Sequence, residues 1–211
     1  KNTINIGAVY TLGRTLHGDA YKYHQTGAES NGSIYVQSQT GDTIPNPFKM
    51  PHTFGIGLTY VYDNRLTIGV DYTLQKWNTA DLAWSKFNKE SVEMNSRTKI
   101  AFGAEFVPSY ISHNYLKRIR YRMGAYYSSP YNKVSYTSPD TGTTSFQDGA
   151  REYGVSIGFG LPMFQSKSML NISGQYIKVS PKFKGLMEEN YLRINIGLTF
   201  NERWFMKWKV D

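Results

Sequence analysis

Apolar and polar residues alternate strictly near the start of the chain. Ile4, Ile6, Ala8, Tyr10 and Leu12 hold the even positions, with Asn5, Gly7, Val9 and Thr11 between them. Period two is the mark of a half-buried β-strand. The same pattern returns over 54–62, 66–74, 100–106, 119–127, 153–161, 170–176 and 192–200, making eight runs in all. One parity class is apolar at every position but Gly174 and carries no charge. The other is mostly Gly, Thr, Ser, Asn, Asp, Glu and Arg, with Val9, Val61 and Ala101 as its aliphatic members. A soluble sandwich hides its apolar face and covers the other with Lys and Glu. Here the second face is small and Gly-rich, as suits a wall against which something else packs.

Six of the eight runs cover 9 residues, close to the length of about 9–11 that a tilted strand needs to cross a hydrocarbon layer. The connections fall into two kinds that alternate along the chain: short at 63–65, 107–116 and 162–167, long at 13–51, 76–99, 128–151 and 178–190. Short turns on one side and long loops on the other are the pattern of an outer-membrane barrel, with periplasmic turns and extracellular loops. Asp63-Asn64 between two runs predicts a hairpin. Tyr60, Tyr62, Phe106, Tyr110, Phe159 and Phe164 gather near the short-turn ends. Tyr72, Trp77, Tyr126, Tyr127, Tyr131 and Tyr176 gather near the long-loop ends. They predict two interfacial girdles, although aromatic residues also favour strands in general. The expected fold is all-β, an antiparallel transmembrane β-barrel with about eight strands in residues 1–200. Residues 201–211 follow as an aromatic and basic tail, where Trp204, Phe205 and Trp208 interleave with Arg203, Lys207 and Lys209. That mixture suits the periplasmic interface or a partner.

Composition changes this picture little. The 211 residues include 17 Tyr, 11 Phe, 4 Trp and 19 Gly. Their mean hydropathy of -0.49 suggests a soluble protein only until the two faces are separated, because an alternating barrel averages to a polar score. No apolar run is long enough for a transmembrane helix. Cysteine is absent, which removes disulfides, thiolate metal sites and cysteine nucleophiles. The chain opens at Lys1 without a signal-like segment, as a processed protein or a fragment would. The formal charge of +8 fits nucleic acid, an anionic surface or acidic ligands. No nucleic-acid module or phosphate loop accompanies it.

Charged residues on the polar parity class are the candidate ligand-binding groups: Asp71, Glu105, Arg118, Arg120, Arg122 and Arg193, with Glu152 nearby. Acids beside bases on neighbouring strands pair favourably. They form either a register-fixing ion-pair ladder or a surplus of guanidinium groups for a carboxylate ligand. Arg118, Arg120 and Arg122 are expected on one face of one strand, where their repulsion requires acids or a bound anion. His17, His24, His52 and His113 lack metal-ligand spacing, so no metal, other cofactor or catalytic residue is expected. A loop hydrolase built on His17, Asp19 and Ser30 is the weaker alternative. Asn31-Gly32-Ser33 reads as a chance glycosylation sequon. The pairs Gly55-Gly57 and Gly158-Gly160 read as smoothness of the polar face.

Three segments, MPHTFGIGL at 50–58, EYGVSIGFGLP at 152–162 and INIGLTFNERWFMKWK at 194–209, resemble the Bacteroidetes branch of the FadL-type outer-membrane transporters. The resemblance implies a fourteen-stranded barrel whose N-terminal hatch gates the lumen, with these eight runs as its last eight strands. Loop 13–51 would then help form an extracellular capture groove. The implied function is passive uptake of hydrophobic small molecules such as long-chain fatty acids across the bacterial outer membrane. Outer-membrane lipid, lipopolysaccharide and other outer-membrane proteins are the expected partners, and nucleic acid is not. The rival is a non-transporting barrel that anchors or docks a larger outer-membrane or secretion complex. An inner face lined by Phe, Leu or Met favours uptake, and one filled by Gly, Arg and acids favours anchoring.

Overall fold

The computed structural model describes residues 1–30, 33–46, 48–79, 93–137, 142–163, 168–181 and 187–200, with backbone alone at 28–30, 33–37, 136, 137 and 144. In chain order the strands are β1 Asn2–Thr11, β2 Thr15–Leu16, β3 Asp19–Ser30, β4 Ser33–Pro45, β5 Phe48–Lys49, β6 Thr53–Tyr62, β7 Leu66–Gln75 and β8 Arg97–Phe106. After the one-turn helix α1 Tyr115–Arg118 come β9 Arg120–Ser128, β10 Lys133–Thr137, β11 Thr144–Asp148, β12 Arg151–Pro162, β13 Met169–Ser180 and β14 Glu189–Thr199. The fold is all-β and antiparallel. One eight-stranded sheet, ordered β1-β6-β7-β8-β9-β12-β13-β14, takes in every alternating run. Among the described residues β1 pairs only with β6 and β14 only with β13. The sheet is therefore open, and the closed barrel expected from the alternation is not formed by these strands alone.

Register turns the parity rule into a surface. Ile6 lies opposite Leu58, Leu58 opposite Val70, and Val70 opposite Phe102. Phe102 then meets Ala125, Ala125 meets Val155, Val155 meets Tyr176 and Tyr176 meets Leu192. Every apolar position thus faces the same way from one edge of the sheet to the other, because a register slip of one residue would turn a strand's apolar set over. Among the described residues nothing covers that face: Ile6 is 73%, Ile157 62% and Ile194 69% exposed. Buried hydrophobic residues among those described are confined to Ile44, Val107, Ile119 and Ile177.

The ends of the sheet differ. At the short-turn end Asp63 and Asn64 both have positive φ, 49° and 54°, as a type I′ hairpin turn requires, and Arg65 N–H donates to the Tyr62 carbonyl at 2.9 Å. The next connection closes on this turn. Val107 N–H donates to the Arg65 carbonyl at 2.7 Å, and Tyr110 Oη donates to the Asn64 carbonyl at 2.7 Å. At the opposite end two of the expected long loops are themselves hairpins. β3 pairs with β4 across a bulge at Thr26/Gly27, above a base formed by β2 and β5. β10 pairs with β11, and Asn95 Nδ2 donates to Asp148 Oδ1 at 2.7 Å to tie that hairpin to the chain before β8. Residues 80–92, 164–167, 182–186 and the tail 201–211 lie outside the described residues, and with them Phe164 and the tail's aromatic and basic groups.

Candidate functional site

The polar face gathers its charges where β8, β9 and β12 run side by side. Glu105 on β8 is directly opposite Arg122 on β9. Arg122 Nε donates to Glu105 Oε2 at 2.6 Å, and Arg120 Nη1 donates to Glu105 Oε1 at 3.2 Å. Arg122 Nη1 reaches past β12 to donate to Asn171 Oδ1 on β13 at 2.7 Å. The path across β12 is cleared by glycine: Gly158 lies opposite Arg122 and Gly160 opposite Arg120. A Cβ at Gly160 would sit 3.1 Å from Arg120 Cβ, so Gly160 houses an arginine stem rather than merely smoothing the face. Each side chain of the cluster is about one third exposed, Glu105 at 27% and Arg122 at 37%.

A second cluster lies nearer the long-loop end. Tyr126 Oη donates to Glu152 Oε1 at 2.5 Å, and Arg97 Nη2 stands 3.6 Å from Glu152 Oε2. Arg97 Nε also donates to Ser128 Oγ at 2.7 Å, while Lys99 Nζ sits 4.6 Å from the Tyr126 ring centroid. That ring lies against Gly154, where a Cβ would collide with it. Sequence reasoning placed Tyr126 in the long-loop girdle; its odd-even partner Tyr127 faces the apolar side and meets Tyr153 at 5.2 Å between ring centroids, whereas Tyr126 belongs to the polar face. Arg97 and Lys99 went unnoticed because they were counted with the loop, although their parity with Glu105 on β8 marks them as members of this face.

The predicted candidates separate accordingly. Glu105, Arg120 and Arg122 come together. Arg118 does not join them: it ends α1, whose Asn114 side chain caps Leu116 N–H at 3.0 Å, so it is not on the β9 strand face. Asp71 lies opposite Gly57 and Ala101, and Arg193 lies opposite Gln175. Neither has a hydrogen-bond or ion-pair partner among the described residues. His17 and Asp19 share no hydrogen bond there, and the Ser30 side chain falls outside them, as does the sequon at Asn31 and Gly32. No group of three potential metal ligands occurs among the described residues.

Residues 1–211 match the model of the BamG family. The chain belongs to the BamG family. That family is associated with the BAM complex, so this BamG-family chain is associated with the outer membrane. No curated protein and no solved structure matches it. The expected FadL-type identity is overturned by this match. Its physical reason is plain in two of the segments that carried the resemblance: 50–58 and 152–162 carry strands with glycine on the polar parity, which any wall of this kind requires. The polar face of this BamG-family sheet holds Gly, Arg, Glu, Ser and Asn where an uptake cavity would present large apolar side chains.

Proposed function

We propose that this protein spans the outer membrane with its eight-stranded sheet and serves as an anchoring and docking element of the BAM complex, the barrel-assembly machinery, rather than as a conduit for hydrophobic molecules. The observation that carries this reading is the apolar face. Eight strands of about membrane-crossing length present one continuous apolar surface that no other part of the described chain covers. Burying one such side chain is worth about 1.5–3 kcal/mol, while a whole fold is stable by only about 5–15 kcal/mol. Leaving dozens of them in water would outweigh the fold, and lipid removes that penalty.

Membership of the BamG family supports BAM association, and the inner face supports docking over transport. Arg120 and Arg122 are turned onto Glu105 and Asn171, which favours the ion-pair ladder over a free carboxylate-binding cluster. The hairpins β3–β4 and β10–β11 offer partner surfaces beyond the sheet.

Affinity purification of the tagged full chain from detergent-solubilised outer membranes tests the proposal. Barrel-assembly subunits are expected to be enriched over a pull-down with an unrelated outer-membrane barrel. Equal recovery in both sinks the docking role. Recovery of the chain in the soluble fraction without detergent sinks the spanning role.

A further inference from the structure

At the long-loop end of β1, β6 and β7 the apolar side of the sheet carries a cavity of about 470 Å³. Lys49, Lys76, His52, Thr15 and Thr79 line it together with Phe54, and none of its lining residues among those described is acidic. It is a built site. His52 is fixed by two donors at one nitrogen: Tyr10 Oη lies 2.7 Å from Nδ1, and Gly13 N–H donates to the same atom at 3.2 Å. A nitrogen that accepts from a backbone N–H carries no proton, so the proton of the neutral ring is on Nε2, which is then a donor. The ring stacks on Tyr10 at 5.9 Å with 9° between planes. Gly13 permits the close approach, since a Cβ there would lie 2.8 Å from the Met50 carbonyl oxygen and 2.9 Å from His52 N. Lys76 is held over the Phe54 ring, its Nζ 5.6 Å from the centroid.

We propose that this cavity binds the phosphate of an amphipathic lipid in the outer leaflet. Two ammonium groups, an imidazole N–H and the Thr15 hydroxyl supply cations and donors for a phosphomonoester, while the Thr79 hydroxyl is held by the Lys76 carbonyl at 2.8 Å. The apolar side below supplies the rest of the ligand's environment: Tyr10 opposite Phe54, Ala8 opposite Ile56 and Ile6 opposite Leu58 form an unbroken shelf on which acyl chains lie. A soluble phosphate uses only the upper half of such a site. This placement rests on the membrane-spanning reading, because the cavity opens on the side assigned to lipid.

The test uses the full chain in detergent micelles and three probes: diphosphoryl lipid A, the same lipid after enzymatic removal of its phosphates, and inorganic phosphate. Native mass spectrometry and equilibrium titration compare the wild type with Lys49→Ala/Lys76→Ala, Lys49→Arg/Lys76→Arg and Lys117→Ala, the last on α1 at the opposite end. The alanine pair is expected to weaken lipid A binding at least tenfold with an unchanged circular dichroism spectrum. The arginine pair and Lys117→Ala should retain wild-type binding, and dephosphorylated lipid should no longer distinguish wild type from the alanine pair. Equal lipid A binding by wild type and the alanine pair overturns the site. Equal affinity for inorganic phosphate and lipid A overturns its lipid assignment. Flotation of each variant with vesicles is measured alongside. A chain that floats but shows no lysine dependence loses only this site, whereas one that does not float loses the membrane-spanning reading as well.

Discussion

Glu105 holds two guanidinium groups, one on each oxygen, and its loss leaves both without a counter-charge on a partly enclosed face. Breaking a fully buried pair costs about 3–5 kcal/mol and an exposed one about 0–1 kcal/mol. With roughly a third of each side chain exposed, Glu105→Gln is expected to lower unfolding stability by about 1–2 kcal/mol in detergent, measured by urea titration. Asp71→Asn, which removes no ion pair, should leave the midpoint unchanged. Gly154→Ala drives a methyl group into the Tyr126 ring and should cost about 1–3 kcal/mol by overpacking, read from the same titration and from altered tyrosine near-ultraviolet dichroism. Parity alone identified Glu105, Arg120 and Arg122 as members of one face. It did not reveal which acid meets which base, since that register depends on how the connection after Val107 folds. The Asn114 cap there winds Arg118 into a helical turn, and a two-residue period extended backwards from β9 has no means of sensing it.

Strands show the same division between what is local and what is not. Leu58 and Thr59 are neighbours on β6 with opposite facings: Leu58 pairs with Ile6 and Val70, Thr59 with Asn5 and Gly69. If lipid covers the apolar side, Leu58→Arg should cost about 2–4 kcal/mol and reduce the heat-modifiable, membrane-inserted fraction on gels, while Thr59→Arg should insert like the wild type. Equal behaviour of the two would contradict the lipid assignment. All eight wall strands were legible because one face is uniformly apolar. The hairpin β3–β4 was not: Tyr21 and Tyr23 share a parity and are each 64% exposed, and among its described side chains only Ile44 is buried, so no buried stripe marks it. Its strands of 12 and 13 residues reach about 40 Å at the usual rise per residue. Its base is closed independently by β2 with β5 and by Asn46 N–H donating to the Gly18 carbonyl at 2.8 Å. Replacing 19–45 with a short glycine linker should therefore leave membrane insertion intact and diminish recovery of barrel-assembly subunits in the pull-down.

At the scale of the molecule the apolar face and the open edges belong together. A backbone N–H or C=O facing hydrocarbon without a partner costs several kcal/mol, so strands that lie in lipid must find company along both edges. The short-turn and long-loop ends give the sheet a direction: β1 runs from the first toward the second, since Asn2 lies opposite Tyr62 and Thr11 opposite Thr53. β14 runs the other way, with Glu189 opposite Val179 and Thr199 opposite Met169. The two free edges are therefore antiparallel to each other, and this imposes a counting rule. Closing the sheet by antiparallel pairing alone takes either no additional strand or an even number of them. A single intervening strand, or any odd set, would force one parallel seam into the ring.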